Sequence, residues 1–464
     1  MMSSKLTREQ CRQFVEEQLF SPRHSATEAQ PIDSIGAIGM ELETFPFVKA
    51  ARHRFGVAPV RLYDPSLPMV ELLVNAAAGY GGHGILQAKD PSMSSKADMV
   101  DKIVFPDGDV IQFEPGGQIE ISTAPCHSLT DLHAHLQARK ALLNEITTNH
   151  QIHFAQFGTQ PWFTVEEIGN QLRKPRYRAL EDYFDHIGPY GKQMMLQTGS
   201  LHINTDLGSD LSTRVKRIVA ANLLVPIVTA IFAHSPIVAG TITGHKAHRS
   251  FLWQHLDESR TGLLSLDRIM AEMDIETVIE TYLEKIMQAP VLYIRSLDNR
   301  VFPKDITMTH WMKHGVEGVW PTIADFENHV SLLFPEVRLK GYLEIRSVDA
   351  PPPGWEMAPV MFYAGLLYTD AFLDKTLDLL LPQAGRIHEL FAKSVYGLES
   401  DEIFDLAKQV IHLAMEGFVR LPVSFKDEAQ QQLLVKFYEQ FTSRRRTFAD
   451  EQLESFISAH SFLS

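Results

Sequence analysis

Val110-Ile-Gln-Phe-Glu-Pro-Gly-Gly-Gln-Ile-Glu-Ile-Ser122 consists of two short alternating runs separated by Pro115-Gly116-Gly117. In the first run Gln112 and Glu114 share a face opposite Ile111 and Phe113, and in the second Gln118, Glu120 and Ser122 lie opposite Ile119 and Ile121. A period of two with one apolar side predicts strands packed on a core through that side. Immediately upstream, Asp107-Gly108 separates Ile103-Val-Phe from Val110-Ile-Gln-Phe, a hairpin signal, so at least part of the sheet is predicted to be antiparallel.

The same alternation recurs in three other stretches. Ile38-Gly-Met-Glu-Leu-Glu43 sends Glu41 and Glu43 to the side opposite Met40 and Leu42. Ser200, His202, Asn204 and Asp206 alternate with Leu201, Ile203 and Leu207, and Tyr342, Glu344 and Arg346 alternate with Leu343 and Ile345. A half-solvated sheet face also alternates, but such faces carry Lys, Thr and mixed charge. Here the polar positions hold Glu41, Glu43, Glu114, Glu120 and Glu344 with one His, one Arg and no Lys. Carboxylates converging on one face repel unless cations neutralise them, so the pattern points to a site for divalent metal and nucleotide. Oxygen donors with a single imidazole suit Mg²⁺ or Mn²⁺, and Mg²⁺ on few carboxylates leaves positions for substrate phosphates. Replacing Glu41 or Glu344 by Gln is expected to lower activity by orders of magnitude and leave the fold intact, since it relieves repulsion.

Length and composition frame these strands. The chain has 464 residues, 45% hydrophobic and 22% charged, with a formal charge of −14, which excludes a disordered chain and argues against bulk nucleic-acid binding. Strand patterns lie between about residues 34 and 346 and helical patterns dominate beyond 355, with Pro351-Pro352-Pro353-Gly354 as the join. The class is therefore α+β. Thr7, Ser128 and Thr322 each precede an acid or amide three residues on and are predicted to cap helices. The apolar run Ile218 to Ala233, interrupted by Asn222 and Pro226, reads as a buried helix and not a membrane span. Gly79-Tyr-Gly-Gly-His-Gly84 lacks the Lys-Ser/Thr of a phosphate loop and is expected to end a helix. His133 and His135 are wrongly spaced for a helical zinc pair, and His234, His245, His248 and His255 are expected beside the site and not as ligands. Two cysteines, Cys11 and Cys126, fit a reducing compartment, and a polar amino terminus without an apolar run leads us to expect a cytoplasmic protein.

Three strings carry a family resemblance: Phe113-Glu-Pro-Gly-Gly-Gln-Ile-Glu120; Arg249-Ser-Phe-Leu-Trp253 with Asp257-Glu-Ser-Arg-Thr-Gly262; and Phe334-Pro-Glu-Val-Arg-Leu-Lys-Gly-Tyr-Leu-Glu-Ile-Arg346. They resemble the glutamate-cysteine ligases of the plant and proteobacterial type, and the actinobacterial enzyme that makes γ-glutamylcysteine for ergothioneine is similar too. The resemblance runs from about Ile35 to Thr369. It implies a glutamine-synthetase-like fold in which an antiparallel sheet funnel, flanked by helices, holds Mg²⁺ and ATP. The implied layout is an N-terminal helix within 1–30, a catalytic domain over 31–370 and a helical C-terminal part over 371–464.

By that resemblance Glu41, Glu43, Glu114, Glu120 and Glu344 are the metal carboxylates. His202 stands where plant-type members carry Gln and more distant members a metal-binding His, so metal or nucleotide contact and a structural hydrogen bond both stay open. Arg249, Trp253 and Arg260 lie in the run that binds the substrate amino acid, with Ser200 beside it. Lys174-Pro-Arg-Tyr-Arg178 is similar to a K-G-R-Y string, with Pro175 in place of Gly, and assigns Lys174 and Arg176, with Asn204, to the nucleotide. Arg346 and Arg176 are expected to stabilise the transferring phosphoryl group. The implied reaction joins the γ-carboxylate of L-glutamate to the amino group of L-cysteine with ATP as co-substrate, for glutathione or ergothioneine synthesis. The implied partners are those small molecules, with no nucleic acid and no membrane, in a monomer or homodimer. A ligase of the same fold using another amine, and a catalytically silent metal- or nucleotide-binding regulator, are the alternatives.

Overall fold

The structure, a computed structural model, describes residues 5–21, 35–86, 100–172, 174–302, 304–427 and 430–460. Among them, ten strands form one antiparallel sheet: β1 (Ile38–Lys49), β2 (Val57–Pro59), β3 (His83–Leu86), β4 (Val100–Val104), β5 (Val110–Phe113), β6 (Ile119–Ser122), β7 (Ile152–Ala155), β8 (Ser200–Thr205), β9 (Val337–Leu339) and β10 (Leu343–Asp349). The order is β9-β10-β8-β1-β6-β5-β4-β3, and the far half of the long central β1 pairs with β2 and β7. The α+β class and the antiparallel hairpin at Asp107-Gly108, joining β4 to β5, agree with the sequence reading.

Register turns four separate alternations into one surface. Glu41 lies opposite His202 on β8 and Ser122 on β6, Glu43 opposite Glu120, and Glu120 opposite Gln112. Glu344 lies opposite Asn204 and Arg338. Directly opposed residues of a ladder project to the same side, so the polar positions of six strands converge. The reverse side carries Met40, Leu42, Leu201, Ile203 and Ile345, all buried in the main core with helix Leu211–Ile231. That helix is capped by the Asp210 side chain on the Thr213 N–H and is buried on every side from Arg217 to Ile231, which makes it the interior helix expected.

The core continues without a break into helices Met357–Leu367, Asp370–Leu380, Ile387–Ser394, Asp401–Arg420 and Leu433–Gln440. A second cluster packs β4, β5 and β6 under helices Met69–Ala78 and Leu129–His150. A third is built from helices Pro175–Ile187, Tyr190–Gln197 and His248–Gln254 and roofs the polar face. Thr7 and Thr322 form full capping boxes, and Ser128 accepts from the Asp131 N–H. The N-terminal helix is Arg8–Val15 with a further turn to Phe20, and the rest of the expected 1–30 segment lies largely outside the described residues. Helix Met69–Ala78 stops at Gly79, and His83 and Gly84 already belong to β3. Among the described residues no helix is long and apolar enough to cross a membrane.

Candidate active site

On the central ladder, Glu43 and Glu41 are joined through β8. Glu43 Oε2 accepts from the Ser200 N–H at 2.6 Å and lies 2.9 Å from its hydroxyl, which is also 2.9 Å from His202 Nε2. His202 Nδ1 lies 2.9 Å from Glu41 Oε2, and Asn204 Nδ2 donates to Glu41 Oε1 at 3.1 Å. In this arrangement His202 bridges Glu41 and Ser200. Burial, with the Arg346 charge, holds its pKa below the usual value. Burial and Glu344 push the Glu41 carboxyl up, but the His202 contact and Lys340 outweigh them and its pKa is lowered.

At the β10 edge the charge balance is reversed. Glu344 is fully buried, and Arg338 Nη2, Lys340 Nζ and Arg346 Nη1 donate to it at 2.8, 2.9 and 2.9 Å. Burial alone would raise its pKa, but the three cations hold it well below the usual carboxylate range. Lys340 and Tyr342 flank Gly341, whose φ of 75° lies in the left-handed region that glycine occupies without strain. This turn joins β9 to β10 and is tied down by the Gly341 N–H donating to the Leu19 carbonyl at 2.9 Å.

Glu114 stands at the tip of the β5–β6 hairpin. A side chain at Gly116 would meet the Leu196 carbonyl oxygen at 2.2 Å, so this glycine lets the tip slide under the end of helix Tyr190–Gln197. Burial and the Glu43 charge raise the Glu114 pKa to about 8, against Arg176 and Arg346, which lower it. Glu120, bonded to Gln112 Nε2 and the Ser122 hydroxyl at 2.9 Å each, is raised well above its usual value by burial and then by Glu41, Glu114 and Glu43. The face thus has more carboxylate than its cations balance. Glu41, His202 and Glu344 each present a donor atom within 4.8 Å of the others. This oxygen-rich set with one imidazole fits a hard divalent cation, whose charge would remove the excess.

Above the carboxylates is a cavity of about 320 Å³. Its floor is Glu41, Glu43, Glu114, Glu120 and His202, its basic rim Arg176, Arg338, Lys340 and Arg346, and its apolar wall Leu180, Phe184, Met194, Met195, Trp253 and Phe334. A second cavity of about 270 Å³ runs toward the start of β1, between Lys102, Thr123, Asn204 and Tyr342. The two cavities share Glu41, Gln112 and Lys340.

Most of the residues expected at the site are brought together there, and four are not on its surface. Arg260 is fully buried, and its guanidinium donates to the carbonyls of Leu332 and Pro290 beside Asp257. Arg260 lines neither cavity, which leaves its expected substrate contact without support. Lys174 starts helix Pro175–Ile187 and pairs with Asp101 outside both cavities, which leaves its expected nucleotide contact without support. Arg249 is buried behind β10, donating to the Arg346 carbonyl at 2.8 Å, and Ser200 backs Glu43. Arg338 and Lys340 escaped the sequence reading, although Arg338-Leu-Lys340 continues across Gly341 the alternation of Glu344 and Arg346. Tyr177, one residue from Arg176, escaped as well.

Residues 84–422 match Glutamate-cysteine ligase family 2 (GCS2). The chain is 30% identical over 323 residues to the chloroplastic glutamate–cysteine ligase of Solanum lycopersicum and 32% identical over 323 residues to that of Arabidopsis thaliana. Each match covers 67% of this chain and 60% of the relative, so the chain spans three-fifths of the length of these relatives. Among solved structures, the glutamate–cysteine ligase of Francisella tularensis in complex with AMP superposes with a TM-score of 0.49 at 12% identity, covering 87% of this chain and 81% of that one. The bifunctional glutathione synthetase of Pasteurella multocida gives 0.48 at 13% identity, covering 92% and 49%. The sequence match, which spans most of the sheet, the roof helices and the core behind them, is the stronger finding: this chain belongs to glutamate-cysteine ligase family 2.

Proposed function

We propose that the chain catalyses the ATP-dependent ligation of the L-glutamate γ-carboxylate to the amino group of L-cysteine, giving γ-glutamylcysteine, ADP and phosphate. The observation that carries this reading is a carboxylate floor facing a basic rim where two cavities meet. A ligase of this kind must hold a polyphosphate beside the carboxylate that accepts the phosphoryl group while neutralising both. Family membership supports the choice of substrates.

In the proposed reaction a γ-carboxylate oxygen attacks the γ-phosphorus of ATP, the bond to the β,γ-bridging oxygen breaks, and ADP leaves with its electron pair. The cysteine nitrogen then attacks the acyl carbon, phosphate leaves with the C–O pair, and the ammonium proton passes to solvent. No protein nucleophile is required. Arg176 and Arg346, which face Glu114 across the cavity, stabilise the charge on the acyl phosphate. Mg²⁺ or Mn²⁺ held by Glu41, His202 and Glu344, with Glu43, Glu114 and Glu120 beside it, would supply neutralisation of the phosphate oxygens. The cavity toward Tyr342, which mixes Ile38, Val110, Pro125 and Tyr342 with polar groups such as Thr123 and Asn204, suits the nucleoside.

Every residue lining these cavities lies between Ala37 and Arg346, which supports a catalytic unit within 31–370 buttressed by the helices of 371–464. Two buried free thiols support a reducing compartment such as the cytoplasm, where the product would serve thiol synthesis. The test is ADP release by the purified protein with ATP and Mg²⁺, with glutamate and cysteine given singly and together, and mass spectrometry of the product. The proposal requires both amino acids for release and γ-glutamylcysteine as product. Turnover with glutamate that ignores cysteine would reassign the acceptor, and nucleotide binding without turnover would leave a silent binder.

A further inference from the structure

Lys340 occupies a position unlike that of the other cations of the site. Arg338 and Arg346 line only the cavity over the carboxylates, whereas Lys340 lines that cavity and the one toward Tyr342. The lysine therefore stands at the junction, with Gln112 and Glu41 as the other shared residues. If the nucleoside lies in one cavity and the glutamyl group in the other, the group passed between them crosses this junction.

The chemistry of the side chain suits that crossing. An ammonium has three donors, and that of Lys340 donates to Glu344 Oε1 at 2.9 Å and also meets the Tyr342 hydroxyl, which leaves one donor for a ligand. Its side chain keeps 32% of its exposure, against 18% for Arg338 and 11% for Arg346. Arg338 is held more closely against Glu344, with Nη2 donating at 2.8 Å and Nε 2.7 Å from the carboxylate, and it lines only the one cavity. Lys340 is also fixed in place, because the turn that bears it is pinned through Gly341 to the Leu19 carbonyl. A rigid ammonium with a donor to spare between two cavities is preorganised for charge that appears there.

We infer that Lys340 contacts the γ-phosphoryl group of the nucleotide during its transfer, while Glu344 acts first as the counter-charge that orients Lys340 and Arg346. The inference rests on the ligase reading. In the transfer the γ-phosphorus gains a bond to the glutamate oxygen as its bond to the bridging oxygen of ADP breaks. The ammonium keeps all its protons and offsets charge on the non-bridging oxygens, so no further reactant is needed.

The test uses the full chain with Mg²⁺ and compares binding of ADP with that of the non-hydrolysable β,γ-imido analogue of ATP by calorimetry. Lys340→Met is expected to weaken the analogue about 10- to 100-fold, the range for a charge-assisted hydrogen bond, and ADP less than about twofold. The turnover number should fall by about two orders of magnitude, as for loss of one transition-state donor, and Lys340→Arg should recover much of the analogue's affinity. A purely structural role would weaken both nucleotides alike, and that result, or unchanged affinity for both, overturns the inference. Should Lys340→Met fail to fold, Lys340→Arg and Lys340→Gln carry the same comparison. The binding arm needs no turnover: a wild-type protein that binds the analogue but never releases ADP sinks the ligase reading separately, and one that binds neither nucleotide overturns both.

Discussion

Arg338 and Glu344 face each other across the β9–β10 hairpin, with Nη2 donating to Oε1 at 2.8 Å and Nε lying 2.7 Å from Oε2. Glu344 is the shared counter-charge of Arg338, Lys340 and Arg346. The sequence suggested that removing one of several repelling carboxylates would leave the fold intact, and for Glu344 this geometry reverses the expectation. Glu344→Gln leaves three partly buried cations without their common partner and should cost about 1–3 kcal/mol of stability. Thermal unfolding at neutral pH checks this, and an unchanged midpoint would mean that the three cations find their balance elsewhere.

Glu114 behaves oppositely. Its pKa is raised from 4.5 to about 8 by burial and by Glu43, so between these values the folded protein holds a proton that the unfolded chain has lost. Stability from this group is fully present below pH 4.5 and is lost as the pH rises toward 8. Glu114→Gln should therefore raise the unfolding midpoint by on the order of 1–3 °C at pH 8 and change it little at pH 4.5. Equal effects at both values would show that Glu114 is ionised throughout.

Raised carboxyls also make a prediction for metal. Glu114, raised to about 8, is expected to hold at pH 7 a proton that a bound dication would expel, because coordination and neighbouring positive charge favour the ionised form, and Glu120 is shifted in the same direction. Titration of Mg²⁺ in two buffers of different ionisation enthalpy at pH 7 should report net proton release, and affinity should rise as the pH increases from 6 to 8. Binding with no proton release would place the cation away from these two residues.

Arg260 makes the case for stability without chemistry. Its replacement by Met strips the buried carbonyls of Leu332 and Pro290 of their guanidinium donor and the Asp257 carboxylate of its counter-charge. The expected loss is about 3–5 kcal/mol, with the KM for glutamate unchanged in the protein that remains folded. A raised KM with normal stability would return Arg260 to the substrate.

The sequence was most informative where chemistry follows the period of two. Glu41 and Glu43, or Gln112 and Glu114, must share a face of their own strand, whatever the fold. That these faces coincide depends on pairings such as Glu41 with His202 and Glu43 with Glu120, which are set by register between distant segments. Arg249 and Arg260 could not be told apart from Arg176 and Arg346 by residue type, since their fate depends on how a helix, a turn and a strand from distant segments pack around the sheet. The balance at Glu344 was hidden for another reason: Arg338 and Lys340 precede the turn at Gly341, and only the closed hairpin brings them back upon the carboxylate.

In the proposed reaction glutamate is activated as an acyl phosphate over the carboxylate floor. Glutamate labelled with ¹⁸O in its γ-carboxylate, incubated with the protein, ATP, Mg²⁺ and cysteine, tests it directly through the phosphate released. Transfer of one labelled oxygen to phosphate in each turnover is the predicted result, because the attacking oxygen stays with phosphorus when the amine displaces it. Phosphate that carries no label while γ-glutamylcysteine accumulates would contradict the account.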